Sequence, residues 1–281
     1  MKTTAINYTQ LYPGIEHAVA TNAQWTYPNV NILRVDLTNP KISFLTTPAD
    51  GLDFYGVRST EFLKQQYNPV TMEAMFATNA NFFDMQERNI AHGLLVSQGN
   101  VVFKDNARDP CSMLINQQNE AHLDVYPTGD EKAVSPASEH TYTAVSGNFI
   151  LVQDGINVAP PPTTEDPQVA ARTSIGISSP AGNGFPQYLF LVTIDGQDHS
   201  PVPKHHYYYG ATYQDTADWQ IAAGAWTALN LDGGGSTTMA QISGLLPPLQ
   251  AWLMNQPHDD EGSNEILERY VCASFGVVVA K

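Results

Sequence analysis

The sequence predicts an α+β fold: a single domain over residues 1–281, built from curved mixed β-sheets with few helices. Two observations carry that expectation. Short runs in which apolar and polar residues alternate recur along the whole chain, which is the period of a half-buried strand. Between them stand 20 glycines and 19 prolines that turn the chain often, and 42% apolar residues suffice for a sizeable core. No internal repeat and no low-complexity linker interrupts this pattern.

The segment up to Val30 reads as a strand and loop, with a turn at Tyr12-Pro13-Gly14. Asn31 to Leu37 and Lys41 to Thr46 alternate cleanly, and Thr38-Asn39-Pro40 between them suggests a hairpin. Ser59 or Thr60 opens a short helix through Gln66, with Phe62 and Leu63 inward. Glu73 to Thr78 reads as a buried strand feeding Asn79-Ala80-Asn81-Phe82-Phe83-Asp84, where asparagines turn the chain. His92 to Val96 and Asn100 to Phe103 suggest a hairpin across Gln98-Gly99, and Cys111 to Ile115 with Ala121 to Tyr126 repeats the pattern. Thr128 to Glu139 is polar and reads as a loop. Ala144 to Val152 is a strand broken by Ser146-Gly147-Asn148, where the glycine marks a bulge or a close approach. Arg172 to Ser178 pairs with Tyr188 to Ile194, which ends in Asp195-Gly196-Gln197. Thr212 caps a second helix with Asp215 three residues on, and Gly224 ends it. Leu245 to Pro248 is a loop, and Val271 to Val279 closes the chain as a buried strand.

The second helix delivers the chain to Asn230-Leu231-Asp232-Gly233-Gly234-Gly235-Ser236-Thr237-Thr238-Met239. Trp226, Ala228, Leu229 and Leu231 read as a short buried strand ending on an acid. A hairpin needs one or two glycines. Three after a carboxylate point to a site whose N–H groups form an anion-binding nest, with Ser236, Thr237 and Thr238 adding donors.

This run resembles the signature of the phosphodiester glycosidase family. Other segments match in the family's order: Asn79 to Asp84, Ser146-Gly147-Asn148, Arg172-Thr173-Ser174-Ile175-Gly176-Ile177, Val192 to Gln197, and Glu268-Arg269. The resemblance spans Tyr12 to Val279, with one departure: the usual family form has glycines where Ala80 and Asn81 stand. It implies transfer of a glycosyl group from an anomeric phosphate to water, on a small-molecule or polysaccharide glycosyl phosphodiester. Carboxylates from Asp84, Asp195 and Asp232 would stabilise an oxocarbenium-like state or divide acid and base roles. Asn79, Asn81, Ser146, Asn148 and Thr173 would line the cleft, with Phe83 stacking on a sugar face. The fork of Arg172 would grip the phosphate, and Arg269 either joins it or closes a strand end by a salt bridge. Because these segments flank it, the loop from Val158 to Gln168, with Pro160-Pro161-Pro162, reads as a lid or surface loop rather than a linker. Two other readings stay open: a glycosidase or lyase on a non-phosphorylated polysaccharide, and a non-catalytic carbohydrate-binding protein.

Composition narrows the choice. A formal charge of −15 opposes nucleic-acid binding, and with only six arginines each is a candidate anion clamp. No apolar run is long enough to span a membrane as a helix. The first residues lack a signal-peptide core, so the expectation is a cytoplasmic protein, or an exported one whose leader has been removed. The two cysteines, Cys111 and Cys272, read as buried thiols or as one disulfide. No zinc-site spacing occurs, and no metal or cofactor is expected. His92 reads as a satisfied structural residue. For His205-His206-Tyr207-Tyr208-Tyr209, packing is favoured over an aromatic sugar loop or a metal site.

Overall fold

The computed structural model describes residues 6–22, 29–105, 108–125, 141–163, 169–196, 210–244, 250–258 and 268–281. Thr128 to Glu139, Gln197, His205 to Tyr209, Leu245 to Pro248 and the end of the proline-rich loop lie outside them. The described residues hold eighteen strands and two α-helices, so the fold is β-rich.

The strands form three sheets. An eight-stranded sheet runs Thr9–Tyr12, Ile15–Ala20, Val30–Asp36, Tyr188–Ile194, Arg172–Ile177, Thr227–Asn230, Ile150–Gln153, Ile156–Asn157. A five-stranded sheet runs Asn100–Asp105, Gly93–Ser97, Thr141–Gly147, Cys111–Asn116, Ala121–Val125. A second runs Ala251–Leu253, Met239–Ser243, Met72–Asn79, Ser274–Ala280, Ile42–Thr46. The expectation of mixed sheets is corrected: every ladder among the described residues is antiparallel. Parallel neighbours need long crossover connections, usually helical, and this chain turns back on itself too often to supply them.

The hairpin expected across Thr38-Asn39-Pro40 is a second correction. Val30–Asp36 pairs with Ile15–Ala20 and Tyr188–Ile194, whereas Ile42–Thr46 pairs with Ser274–Ala280. The turn carries the chain from one sheet to another. It closes locally, with Asp36 Oδ1 accepting from Thr38 N at 3.0 Å and Asn39 Oδ1 from Lys41 N at 3.0 Å, which leaves the partner strand undetermined. Ser146-Gly147-Asn148 makes a similar transfer, from a five-stranded sheet to the eight-stranded one. A Cβ on Gly147 would lie 1.8 Å from the Asn230 carbonyl oxygen, so only glycine admits this contact.

The inner faces of all three sheets share one core, including Leu33, Ile175, Leu229, Val145, Phe76 and Phe275. Helix Tyr213–Ala223 covers the outer face of the large sheet, packing Ala217 and Trp219 with Phe190 and Val192. Thr212 caps it by accepting from Asp215 N, and Gly224 closes it at φ 112°. Helix Ser59–Gln66 covers the other face of the third sheet with Phe62 and Leu63, against Met75 and Ala240. Trp226, expected inside, is 41% exposed: it donates from its indole nitrogen to Asp154 Oδ1 at 3.1 Å and lies over Gly155. Among the described residues no helix is long and apolar enough to cross a membrane.

Candidate functional site

Strand Thr227–Asn230 belongs to the large sheet and Met239–Ser243 to the third, so the acid and glycines between them bridge two sheets. Asp232 opens the bridge, its N–H donating to Ala80 O at 3.0 Å. Its carboxylate accepts from Gly233 N at 2.9 Å and from Ser236. Burial, the largest influence, pushes its pKa up to about 6; Ser236, the positive charge of Arg269 and Gly233 N–H pull it down, and the negative charge of Asp109 raises it. Arg269 Nη1 also reaches Ser236 Oγ at 3.4 Å. A half-buried acid is thus held beside a cation and a hydroxyl, within electrostatic reach of a second acid.

The glycines act differently from the expected nest. The N–H groups of Gly233, Gly234, Ser236 and Thr237 donate to Asp232 Oδ1, Ala171 O, Gly233 O and Gly234 O. The run is a tight 3-10 turn over Gly234–Ser236, with Gly235 in its middle. Gly233 is forced by close approach, since a Cβ there would meet Ala171 O at 2.7 Å. Gly234 is forced by φ +60°, and a Cβ there would point into open space. The hydroxyls of Thr237 and Thr238 are buried and have no hydrogen-bond partner among the described residues.

Beneath this turn the sheets are tied by asparagines. Asn79 Nδ2 donates to Asp232 O at 2.6 Å, and its Oδ1 accepts from Thr173 Oγ1 at 2.7 Å and Thr238 N at 3.1 Å. Asn81 Nδ2 donates to His92 O and Leu94 O at 2.8 and 3.1 Å, and its Oδ1 accepts from Ser146 N at 3.2 Å. Ser146 Oγ completes the tie with Leu94 and Ser112. The residues expected to touch sugar are therefore engaged in fixing the loop, each bond contributing about 1 kcal/mol. Phe83, expected to stack on a ligand, is in the central core at 8% exposure. Asn148 is half-buried and accepts from Asn230 Nδ2 at 2.9 Å.

Asp195 also ends a buried strand, and burial pushes it up to about 6. Its oxygens accept from Asn255 Nδ2 at 2.8 Å and Gln256 N at 3.2 Å. Asn255 in turn donates to Thr237 O and accepts from Met239 N, so Asp195 positions the far end of the glycine turn. Arg172 lies on the helix side of the large sheet, its guanidinium 3.8 Å from the centre of the Tyr213 ring and its Nε donating to Ala211 O at 3.1 Å.

Asp84 joins a chain of charges that its neighbours in sequence do not announce. Arg108 Nη1 donates to Asp84 Oδ1 at 3.0 Å and to His92 Nε2 at 2.7 Å. A guanidinium only donates, so Nε2 accepts and Nδ1 carries the proton given to Asp109 Oδ2 at 3.2 Å. The Arg108 hydrogen bond holds Asp84 below the usual carboxylate range. Asp109 stands at φ 50°, near the end of this chain that meets Asp232 electrostatically. Asp109 and Arg108 were missed in the sequence; the signal was a charged pair before Pro110 at the mouth of a strand. Cys111 and Cys272 are free and buried, and burial pushes their thiols up to about 11 and about 12, which keeps them protonated.

A family model described as phosphodiester glycosidase matches residues 72–278. Among solved structures, the catalytic domain of zebrafish N-acetylglucosamine-1-phosphodiester alpha-N-acetylglucosaminidase, auto-inhibited by its pro-peptide, is similar at 18% identity and TM-score 0.65, covering 100% of this chain and 85% of that one. A hypothetical protein from Synechocystis is similar at 15% identity and TM-score 0.62, covering 99% of this chain and 64% of that one. No curated protein matches the sequence.

Proposed function

Because the chain belongs to the phosphodiester glycosidase family, we propose that it is a hydrolase of sugar-1-phosphodiesters, with Asp232 as its working carboxylate. The observation that carries this reading is the setting of Asp232: an acid raised to about 6, beside Arg269 and Ser236 and within electrostatic reach of Asp109. At neutral pH such a group is mostly ionised. A carboxylate at the anomeric carbon stabilises the positive charge of an oxocarbenium-like state or attacks it directly.

The leaving group is a phosphate monoester, stable as an anion, so it departs without a strong proton donor. Arg269 offers a planar fork of donors to phosphate oxygens. Arg172, bonded to Ala211 O and stacked on Tyr213, is read as an anchor for the start of its strand. Asp109, oriented by His92, is the second carboxylate and takes the proton of the attacking water. Asp84 remains ionised under Arg108 and holds that arginine and His92 in line. One domain carries the whole arrangement.

The test is a turnover panel of sugar-1-phosphodiesters beside neutral glycosides of the same sugar. Hydrolysis of the phosphodiesters alone is expected. Equal turnover of both classes, or of neutral glycosides only, would refute the phosphate-directed reading.

A further inference from the structure

A groove of about 790 Å³ lies beside the first helix, and its residues take no part in the Asp232 site. Its volume is in the range of pockets that take small organic ligands. Three of its apolar side chains face solvent: Tyr55 is 74% exposed, Phe54 51% and Met85 51%. Side chains that expose so much apolar surface together mark binding surfaces.

These rings sit on a stapled segment. Tyr55 N donates to Asp53 Oδ1 at 2.8 Å and Gly56 N to Asp53 O at 2.9 Å. Gly56 stands at φ +77°, so close to Val271 that a Cβ would lie 2.9 Å from its carbonyl oxygen. Arg88 N donates to Phe54 O at 3.0 Å, and Arg88 Nη1 to Tyr270 O at 3.1 Å. Phe54 and Tyr55 meet edge to face at 5.3 Å, which presents two ring faces at 85° to each other. The aromatics are therefore held out of the core by built contacts.

The polar groups between them decide what fits. Glu61 and Gln65 project from successive turns of helix Ser59–Gln66, and Gln86 follows Met85. Amide and carboxylate side chains among flat rings suit a ligand with apolar faces and many hydroxyls, as sugar rings have. The lining carries Asp53 and Glu61 against one cation, Arg88, which donates to Tyr270 O, so in a chain of net charge −15 it disfavours a polyanion, although Glu61 is also paired with Arg58 at 3.8 Å. The groove neighbours the site along the chain, because Tyr270 follows Arg269 and Met85 follows Asp84. Consecutive Cα atoms are about 3.8 Å apart, so the groove begins within one residue of Arg269 and of Asp84.

We propose that this groove binds a neutral oligosaccharide, the glycan portion of the substrate on which the Asp232 site acts. That last clause rests on the hydrolase reading, whereas the binding itself does not. The test measures retardation in native gels containing neutral glucans with α-1,4, β-1,4 and β-1,3 links, with polygalacturonate as the anionic control, for the wild type, Phe54→Ala and Tyr55→Ala. Both side chains are exposed, so the variants keep the fold, and a melting curve checks this. At least one neutral glucan should retard the wild type, and each substitution should weaken its affinity at least about fivefold. Small sugar-1-phosphodiesters should be turned over equally by all three proteins. No retardation by any neutral glucan, retardation indifferent to both substitutions, or preference for polygalacturonate overturns the proposal. Ring-dependent retardation in a protein that hydrolyses no phosphodiester keeps the groove and refutes the hydrolase reading instead.

Discussion

Asp195 and Asp232 end two strands of one sheet, and burial pushes both up to about 6, yet their partners differ. Asp195 gives its oxygens to neutral donors, Asn255 Nδ2 and Gln256 N, and is only 6% exposed. It fastens the segment that carries the glycine turn. Asp232 accepts from its own turn, feels the charges of Arg269 and Asp109, and lies two residues before Gly234, where a Cβ would meet nothing within 4 Å. A shifted pKa alone does not distinguish a structural acid from a working one. The partners differ: neutral donors satisfy Asp195, whereas Asp232 has a cation beside it, the setting on which its proposed role rests.

The largest effect that would break this contrast is Asp232→Asn. Size is kept and charge lost, so turnover should fall at least about a hundredfold with little change in melting temperature. A folded variant with near-normal kcat would remove Asp232 from the mechanism. Next is Arg269→Met, expected to lower kcat/KM on phosphodiesters more than about tenfold, with Arg269→Lys recovering part of it. Equal loss in the two variants would mean that charge is irrelevant there. Gly234→Ala places a Cβ in open space but forces an alanine to φ +60°, a strain of about 1–2 kcal/mol. A several-fold drop in turnover with a small fall in melting temperature is expected; no change in either would show a loose turn.

The smallest effect sharpens the other half of the comparison. Asp195 is raised in the folded state from 3.8 to about 6, so its contribution to stability is complete below about pH 4 and is lost as pH rises through about 6. Asp195→Asn removes that loss. Denaturant titrations should show the wild type's advantage over the variant shrinking between those pH values, and a constant difference would contradict the burial argument.

Much of the fold was legible locally. Thr212 with Asp215, and Gly224 beyond, state a helix by themselves, because capping uses only neighbouring groups. The Gln98-Gly99 turn likewise takes positive φ at both residues, 50° and 80°. What stayed hidden was non-local. A turn such as Thr38-Asn39-Pro40 closes on its own side chains whether the next strand pairs back or joins another sheet. Asp232 was legible because three glycines follow it. Asn79 and Asn81 were legible as unusual but not as ties, since an asparagine that binds sugar and one that holds a backbone look alike in sequence. Asp109 was illegible because its meaning comes from His92 and Asp232, which lie on other segments.

The proposal assigns the working carboxylate to Asp232 and not to Asp195. Both are raised to about 6, so a wild-type pH profile alone does not separate them. The decisive measurement is kcat/KM on one sugar-1-phosphodiester between about pH 4 and 8, for the wild type and for folded Asp195→Asn. Activity should rise through about pH 6 in both proteins, because Asp232 must ionise and is untouched by the substitution. A rise that disappears in Asp195→Asn would assign the titration to Asp195 and remove Asp232 as the working carboxylate.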